Sequence, residues 1–438
     1  LVWSNGFEKK QRIEFPPIDA DVFKLDGEGL LPDLQRRNNV IYSKGMNKKR
    51  RALDFHLLTS IENEEKINLN YLPIAGANFY NGFMLGAALH NFSLYRKPFE
   101  FYLAPLYAFN SKTLSGFAEL AFNFFPKQVF SSISAGFKAK SFAYDYFNPD
   151  TYNNTYSTSL KPLYANYYKL NPFVEFDFKR RPANSKLNHS VLINSTFLFT
   201  DSLFYQTTGN GPEVRNKTSY MNGIKYVLSN TRLLSPYEII AGIQQTGTMI
   251  KSSVVYTQKV SFTPRYVGEI RIFAGTFLSG DAEKKSYYAL RAGGYTGYQD
   301  VLFDQNFIAR NERNGLGFSQ FSEEDGALKV WTPLGQSNTW LGAVNLKSPK
   351  LYKLPIKVYG DVVFTDAQFL NKDAFLWNAG LNLSILNSVI EVYFPLFYSK
   401  DIQDALELNQ VTGAQRIRFT LNIHNFSPGK ILQSLLKQ

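Results

Sequence analysis

Cysteine is absent from the 438 residues, which removes disulfides, thiolate chemistry and any Cys-based metal site. Histidine is scarce: there are only His56, His90, His189 and His424. No two of them stand at the H-E-x-x-H spacing by which a zinc peptidase sets two ligands and a general base on one helix. No run of about 18 apolar residues occurs, which excludes a transmembrane helix. No charged-then-apolar leader opens the chain. It starts at Leu1, directly in strand-like sequence, so we expect a processed start or an upstream portion. The missing leader therefore does not count against export.

What the chain does have is aromatic side chains and positive charge. Its 38 Phe and 27 Tyr are the usage expected where aromatic girdles mark two membrane interfaces. Lys and Arg number 48 against 36 acidic residues, a formal net charge of +12. That excess suggests an anionic neighbour, with outer-membrane lipids including lipopolysaccharide the expected partner. Other outer-membrane or periplasmic proteins are possible partners. No nucleic-acid motif accompanies the charge and it is spread over many turns, so no nucleic-acid partner is expected.

The stretch Gln415 to Phe426 shows the governing pattern. Ile417, Phe419, Leu421 and Ile423 fall on one face of a strand, and Arg416, Arg418, Thr420, Asn422 and His424 on the other. Comparable alternation recurs at 67–74, 81–92, 99–108, 113–124, 129–140, 165–178, 187–200, 217–228, 236–246, 252–262, 267–278, 339–346, 355–364, 375–384 and 389–397. Residues 53–61 read as a strand preceding these sixteen. In 355–364, Ile356, Val358, Val362 and Phe364 oppose Lys357 and Asp361. A soluble sandwich alternates in the same way, so period alone does not decide between sandwich and barrel.

Connection length does. Connectors after even-numbered strands are short, whereas those after odd-numbered strands include all the long ones: 141–164, 201–216, 279–338 and 398–415. Membrane barrels keep this parity, with short periplasmic turns and longer external loops, and a sandwich has no reason to. The expected fold is all-β: a transmembrane antiparallel β-barrel of about 16 strands in a bacterial outer membrane, termini in the periplasm. Residues 1–50 read as the end of an upstream periplasmic β domain and linker. Residues 51–426 form the barrel, 279–338 its long external or plug loop, and 427–438 a periplasmic tail. The short turns also collect cations: Arg96, Lys97, Lys127, Lys179, Arg180, Arg181, Lys186, Arg232, Arg265, Lys347, Lys350 and Lys353. They read either as a basic rim at the inner leaflet or as ordinary solvated turns. The run Lys48 to Arg51 reads as a solvated linker or as a contact with anionic headgroups.

Two resemblances add to this reading. Ala292-Gly293-Gly294 followed by Tyr295-Thr296-Gly297-Tyr298, with the strands WLGAVNLKSP, LPIKVYGDVVF and WNAGLNLSIL after it, resembles barrels of the BamA insertase and two-partner-secretion transporter superfamily. That resemblance implies a sixth external loop tucked into the lumen, with Gly293, Gly294, Tyr295, Gly297 and Tyr298 as its motif. Thr296 stands where the family places an arginine, which puts in doubt any mechanism that needs that residue. Over roughly the first 125 residues, FEKKQRIEFPPIDADVFKLDGEGLLPDLQRRNNVIYSKG and the strands after it resemble a junction in Bacteroidota proteins. There a zinc aminopeptidase of the gluzincin family is followed by an outer-membrane barrel. That resemblance implies a barrel anchoring a periplasmic metallopeptidase-like domain. Insertion or transport of polypeptide or lipid is the alternative implied by the first.

No catalytic residues, cofactor or metal site are expected in this chain; zinc would belong to an upstream domain. A barrel-embedded lipase around His424 and Asn422 lacks a serine elbow. Asp300/Asp304 and Glu323, Glu324, Asp325 fit no EF-hand spacing and read as a solvated or salt-bridged loop. Asn5-Gly6, Asn81-Gly82 and Asn314-Gly315 are turn signals, and Asn222-Gly223, inside a strand, suggests a bulge. The clear alternation of 416–424 predicts firm pairing of the last strand, which an anchor needs and a laterally opening insertase does not.

Overall fold

A computed structural model describes residues 14, 18–27, 30, 39–44, 52–58, 66–93, 96–149, 161–205, 212–263, 266–312, 315–352, 354–366, 374–385 and 388–422. The chain separates into two compact units, 1–71 and 72–438. In the first, β1 (Val22–Lys24) and β2 (Val40–Tyr42) form a small antiparallel sheet within residues 1–50, the stretch expected to hold the end of an upstream β domain and a linker. Also in it, β3 (Leu53–Leu57) pairs in parallel with Ile67–Tyr71, the start of β4 (Ile67–Asn78). Residues 1–13, the run Lys48 to Arg51, Asn5-Gly6, His424 and the 427–438 tail lie outside the described residues.

Seventeen strands make one barrel sheet. After β4 come β5 (Gly82–His90), β6 (Phe99–Ala108), β7 (Thr113–Phe124), β8 (Phe130–Phe147) and β9 (Leu163–Phe178). Next are β10 (Leu187–Tyr205), β11 (Pro212–Asn230), β12 (Tyr237–Thr246), β13 (Met249–Ser261) and β14 (Val267–Ser279). The long loop follows, with α1 (Ala282–Tyr287), β15 (Leu290–Arg291), α2 (Gly315–Ser319) and β16 (Gln336–Ser337). The sheet resumes with β17 (Trp340–Lys347), β18 (Ile356–Thr365), β19 (Ala374–Ile385), β20 (Ile390–Tyr398) and β21 (Arg418–Leu421), the last two separated by α3 (Lys400–Leu408). All sixteen alternating segments are thus strands, and β3 is the seventeenth.

The faces decide between sandwich and barrel. Leu114, Phe122, Val358, Phe364 and Phe375 are exposed, while Ser115, Asn123, Ser134, Asp361 and Asn378 on the opposite faces are buried. A soluble sandwich would have the reverse. Apolar-out and polar-in is the arrangement of a membrane-spanning barrel. Exposed aromatic rings gather at its two ends: Phe79, Phe83, Tyr107 and Phe109 at the long-loop end, Phe99, Phe122, Phe124 and Phe262 at the short-turn end. These match the girdles expected where rings sit at headgroup level.

Three expectations need correction. The 201–216 loop shrinks to 206–211, because β10 and β11 stay paired from Leu187↔Asn230 to Tyr205↔Pro212. At 19 residues each they exceed the roughly 9–11 needed to cross a bilayer, and beyond the bilayer a ribbon keeps no apolar face to mark it as strand. Asn222-Gly223 is not a bulge. The register passes through it unbroken, and a Cβ on Gly223 would fall 2.8 Å from Asn194 Oδ1. The last strand starts later than expected: Gly413–Arg416 forms a 3-10 turn, and among the described residues β21 pairs with β20 in register over Arg418–Leu421 with Ile390–Tyr393, with one further bond from the Asn422 N–H to the Val389 carbonyl at 2.8 Å. Gly413 at φ +51° and the capping contacts of Thr412 and Gln415 favour that turn over an extended start.

Candidate functional site

The loop between β14 and β17 does not stand off the barrel; its residues are joined to inward-facing side chains from one end of the wall to the other. Near the long-loop end, Leu290, Ala292, Leu328 and Val330 pack with Phe277, Leu341, Val363 and Leu376 of the strands and with Ile402 and Leu406 of α3. The α3 sequence KDIQDALEL spaces Ile402, Ala405 and Leu406 three and four apart, so one helix face is apolar and closes over this core. On the other side of the barrel Phe303 of the loop sits among Met84, Leu106, Phe142, Tyr167 and Leu198, its ring 4.1 Å from that of Tyr167.

Halfway down, charge replaces hydrocarbon. Lys329 Nζ of the loop donates to Asp361 Oδ1 of β18 at 2.9 Å, with both side chains wholly buried. Asn345 Nδ2 of β17 donates to the same oxygen at 2.9 Å and to the loop carbonyl of Gly326 at 3.0 Å. Removing two charges from water costs several kcal/mol per ion, so such a pair survives only where geometry and further hydrogen bonds offset that cost. Here Asn345 supplies the extra bond.

Deeper still, Glu323 meets Lys347, the last residue of β17, at 2.7 Å, and Lys347 reaches Glu391 at the start of β20 at 2.9 Å. Tyr393 donates to both carboxylates. Burial alone would raise the Glu323 pKa. The ammonium groups of Lys347 and Lys329, with the hydrogen bonds from Lys347 and Tyr393, win and hold it well below the usual carboxylate range. Because β17 ends and β20 begins at the short-turn end, this contact places the loop's acidic tip at the mouth opposite the one it entered. Lys347 is therefore not a rim cation; neither is Lys97, which is buried, and Arg96 is paired with Asp177 at 2.9 Å.

Three further anchors hold the loop laterally. Tyr80, in the β4–β5 turn, donates its hydroxyl to Glu312 at 2.7 Å and accepts from the backbone N–H groups of Arg310 and Asn311. Burial and the neighbouring Glu312 carboxylate push its phenol well above the ordinary range. Arg310 pairs with Asp300 at 3.4 Å and lies 3.9 Å over the Phe303 ring. From the wall, Lys169 reaches Asp304 at 2.5 Å, and Arg418 of β21 donates to the Phe318 carbonyl at 2.7 Å. The carboxylates that drew attention as loop clusters, Asp300, Asp304 and Glu323, are thus occupied by cations.

The glycine motif lies in the middle of this packing. Gly294 is pressed so closely on Phe321 and the Ser322 carbonyl that a Cβ would sit 2.3 Å from each, and at Gly297 it would sit 2.3 Å from Arg310 Cα. Gly293 is looser, with 3.5 Å to the Val330 carbonyl. The Tyr295 backbone exchanges hydrogen bonds with Ser322, and its hydroxyl donates to Asp325; burial and that carboxylate raise its pKa. Tyr298 is exposed and borders a cavity of about 200 Å³ with Thr296, Trp331 and Arg418. The motif residues are therefore brought together; Asp300, Asp304, Glu323, Lys347, Asp361 and Arg418 stood out in the sequence as loop clusters, turn cations or polar-face residues, but not as partners of one another or of the loop. A signal existed for Asp361, an acid on an otherwise apolar strand, but its partner Lys329 is 32 residues away and carries no local mark.

The class defined by this fold and site is a membrane-spanning β-barrel with a long loop packed through it. No protein-family profile and no curated protein matches the chain. Among solved structures it is similar to BamA from Haemophilus ducreyi lacking POTRA domains 1–3, at 9% identity over 81% of this chain and 72% of that one, with a TM-score of 0.40. It is also similar to CdiB from Acinetobacter baumannii, at 8% identity over 78% of this chain, with a TM-score of 0.37. The chain spans 62% of that CdiB structure.

Proposed function

We propose that this chain is a stoppered outer-membrane barrel whose task is to anchor a periplasmic domain, a metallopeptidase-like one on the resemblance of its first 125 residues. The supporting observation is the wholly buried pair Lys329–Asp361 together with the partly buried contact Lys347–Glu323, which tie the loop to the wall at mid-depth and at the far mouth. A conduit would be poorly served by charges fixed and desolvated across its bore, whereas an anchor needs only a stable, closed body. The short turns then face the periplasm, and outer-membrane lipids including lipopolysaccharide surround the wall.

The experiment is twofold. In planar bilayers the full chain carries no steady current, and replacing 290–337 with a short Gly-Ser linker opens a conducting pore; a large wild-type current refutes the stopper. Peptides from the native, membrane-extracted protein then include an H-E-x-x-H segment upstream of Leu1. A mature chain lacking any such segment refutes the peptidase anchor.

Insertion or transport of polypeptide or lipid is the second reading, and the short β20–β21 pairing of four residues favours it. Proteoliposomes of the full chain that speed the folding of an unfolded client barrel would establish it in place of the anchor.

A further inference from the structure

Three consecutive short turns at one end of the barrel meet as a single surface. Lys179, opening the turn after β9, donates its ammonium to the Lys127 carbonyl in the turn after β7. Thr231, opening the turn after β11, donates from its backbone to the Lys186 carbonyl at 2.9 Å. The contiguous surface carries Lys127, Lys179, Arg180, Arg181, Lys186 and Arg232, and its turn segments 125–129, 179–186 and 231–236 contain no acidic residue. Among the described residues none of the six cations is paired with a carboxylate. Arg180 is bound to Asn188 and Arg232 to the Ser235 carbonyl, both neutral, so their charge stays uncompensated. Of the other turn cations, Arg96 is neutralised by Asp177 and Lys347 by Glu323 and Glu391.

The second feature is hydrocarbon where a solvated turn should have none. Leu233 is 93% exposed and Phe262, in the next turn, 70%; Leu234, Phe125 and Val129 are exposed as well. Solvated turns gain nothing from such side chains, and Leu233 and Leu234 share their turn with Arg232, Phe125 and Val129 theirs with Lys127. Paired apolar and basic exposure, continuous with the lipid-facing aromatic girdle, is the chemistry of a surface seated in a headgroup layer. A water-facing acidic protein would match the charge and leave the leucines wet.

We propose that these three turns form a docking surface for the anionic headgroups of the leaflet at the short-turn end, the phosphodiester of phosphatidylglycerol being the ligand chemistry. This rests on the reading of the chain as a membrane barrel. Each cation near an anionic surface strengthens association about fivefold, so removing four costs well over a hundredfold.

The test is native mass spectrometry of the detergent-solubilised full chain titrated with phosphatidylglycerol and phosphatidylcholine of identical acyl chains. The wild type retains phosphatidylglycerol at least tenfold more strongly. The variant K127Q/R180Q/R181Q/K186Q loses that preference, and R180K/R181K, which conserves charge, keeps it. A control stripped of cations at the other end, K112Q/K217Q/K284Q/K285Q, also keeps it. Heat-modifiable migration of every variant after insertion into phosphatidylcholine vesicles reports barrel formation separately: failure of the wild type to insert refutes the membrane reading on which this surface rests, whereas unchanged lipid preference in variants that insert refutes the surface alone. Equal retention of the two lipids, or preference surviving the quadruple glutamine variant, overturns the proposal. So does inorganic phosphate displacing phosphatidylglycerol at millimolar level, which would make the ligand a free anion. So does a heptaglutamate peptide binding these turns when the lipid does not, which would assign them to an acidic protein.

Discussion

Asp361→Ala is the sharpest perturbation of the stoppered barrel. It leaves the Lys329 ammonium in a site with no water access and deprives Asn345 of one of its acceptors. Removing one partner of a buried ion pair costs about 3–5 kcal/mol, of which the stranded charge is the main part. At about 1.4 kcal/mol per factor of ten, the equilibrium between a docked and a displaced loop shifts by roughly a hundredfold to several thousandfold. The absence of native cysteine allows this to be read directly. A cysteine placed at Leu328, buried beside the pair, reacts with a maleimide only when the loop leaves the wall, so its labelling rate reports the displaced fraction. Labelling of L328C/D361A is expected to exceed that of L328C by at least a hundredfold. The double replacement K329M/D361L removes both charges, strands neither, and is expected to return the rate to within tenfold of L328C. Rates within threefold for L328C and L328C/D361A would show that the pair does not hold the loop.

Three other outcomes follow from the same contacts. Tyr80→Phe removes one hydroxyl that serves Glu312, Arg310 and Asn311, at a cost of about 1–3 kcal/mol, and hydrogen exchange at the Arg310 and Asn311 amides should accelerate accordingly. Gly294→Ala should lower barrel stability by about 1–3 kcal/mol because the added methyl would meet the Ser322 backbone carbonyl as well as the Phe321 ring, whereas Gly293→Ala should be nearly neutral in urea unfolding. Folding lowers the Glu323 pKa, so its stabilisation is complete above the ordinary glutamate value of about 4.3 and is lost as pH falls through the lower folded value. The displaced fraction, read as the L328C labelling rate divided by that of a free cysteine peptide at the same pH, should therefore stay flat from pH 8 to 5 and rise only in stronger acid, and Glu323→Gln should flatten that acid limb.

The sixteen strands were legible because a membrane wall writes its two faces into alternate residues: Leu114 and Ser115, or Val358 and Asp361, differ in polarity as they differ in exposure. The outer ends of β10 and β11 were not legible; in β11 Glu213 to Asn216 are exposed on both faces and carry no period. Neither was α3, read as part of a long loop although Ile402, Ala405 and Leu406 have helical spacing. In the loop the glycines were visible and their reason was not. Gly294 is glycine because Phe321 and Ser322 crowd it, and that approach is set by tertiary packing. The ionic contacts were the least accessible, because each joins residues far apart in the chain and no local pattern marks a charge that will be paired.

That same separation bears on how the molecule assembles. The loop that fills the bore is flanked by the strands that must enclose it: Tyr80 reaches Glu312 across 232 positions, and Tyr393 reaches back to Glu323 across 70. Closing such long loops in an unstructured chain is entropically slow, so these contacts form only after the hairpins around them exist. Yet the loop has to be inside before β17 to β21 complete the wall, or it would have to thread an already finished ring. Biogenesis is thereby given an order. The N-terminal hairpins form an open trough, the loop settles against β4–β9, and the last five strands are laid over it. Lys347 and Glu391 meet the loop tip only when those strands arrive, so this ion cluster marks a completed barrel.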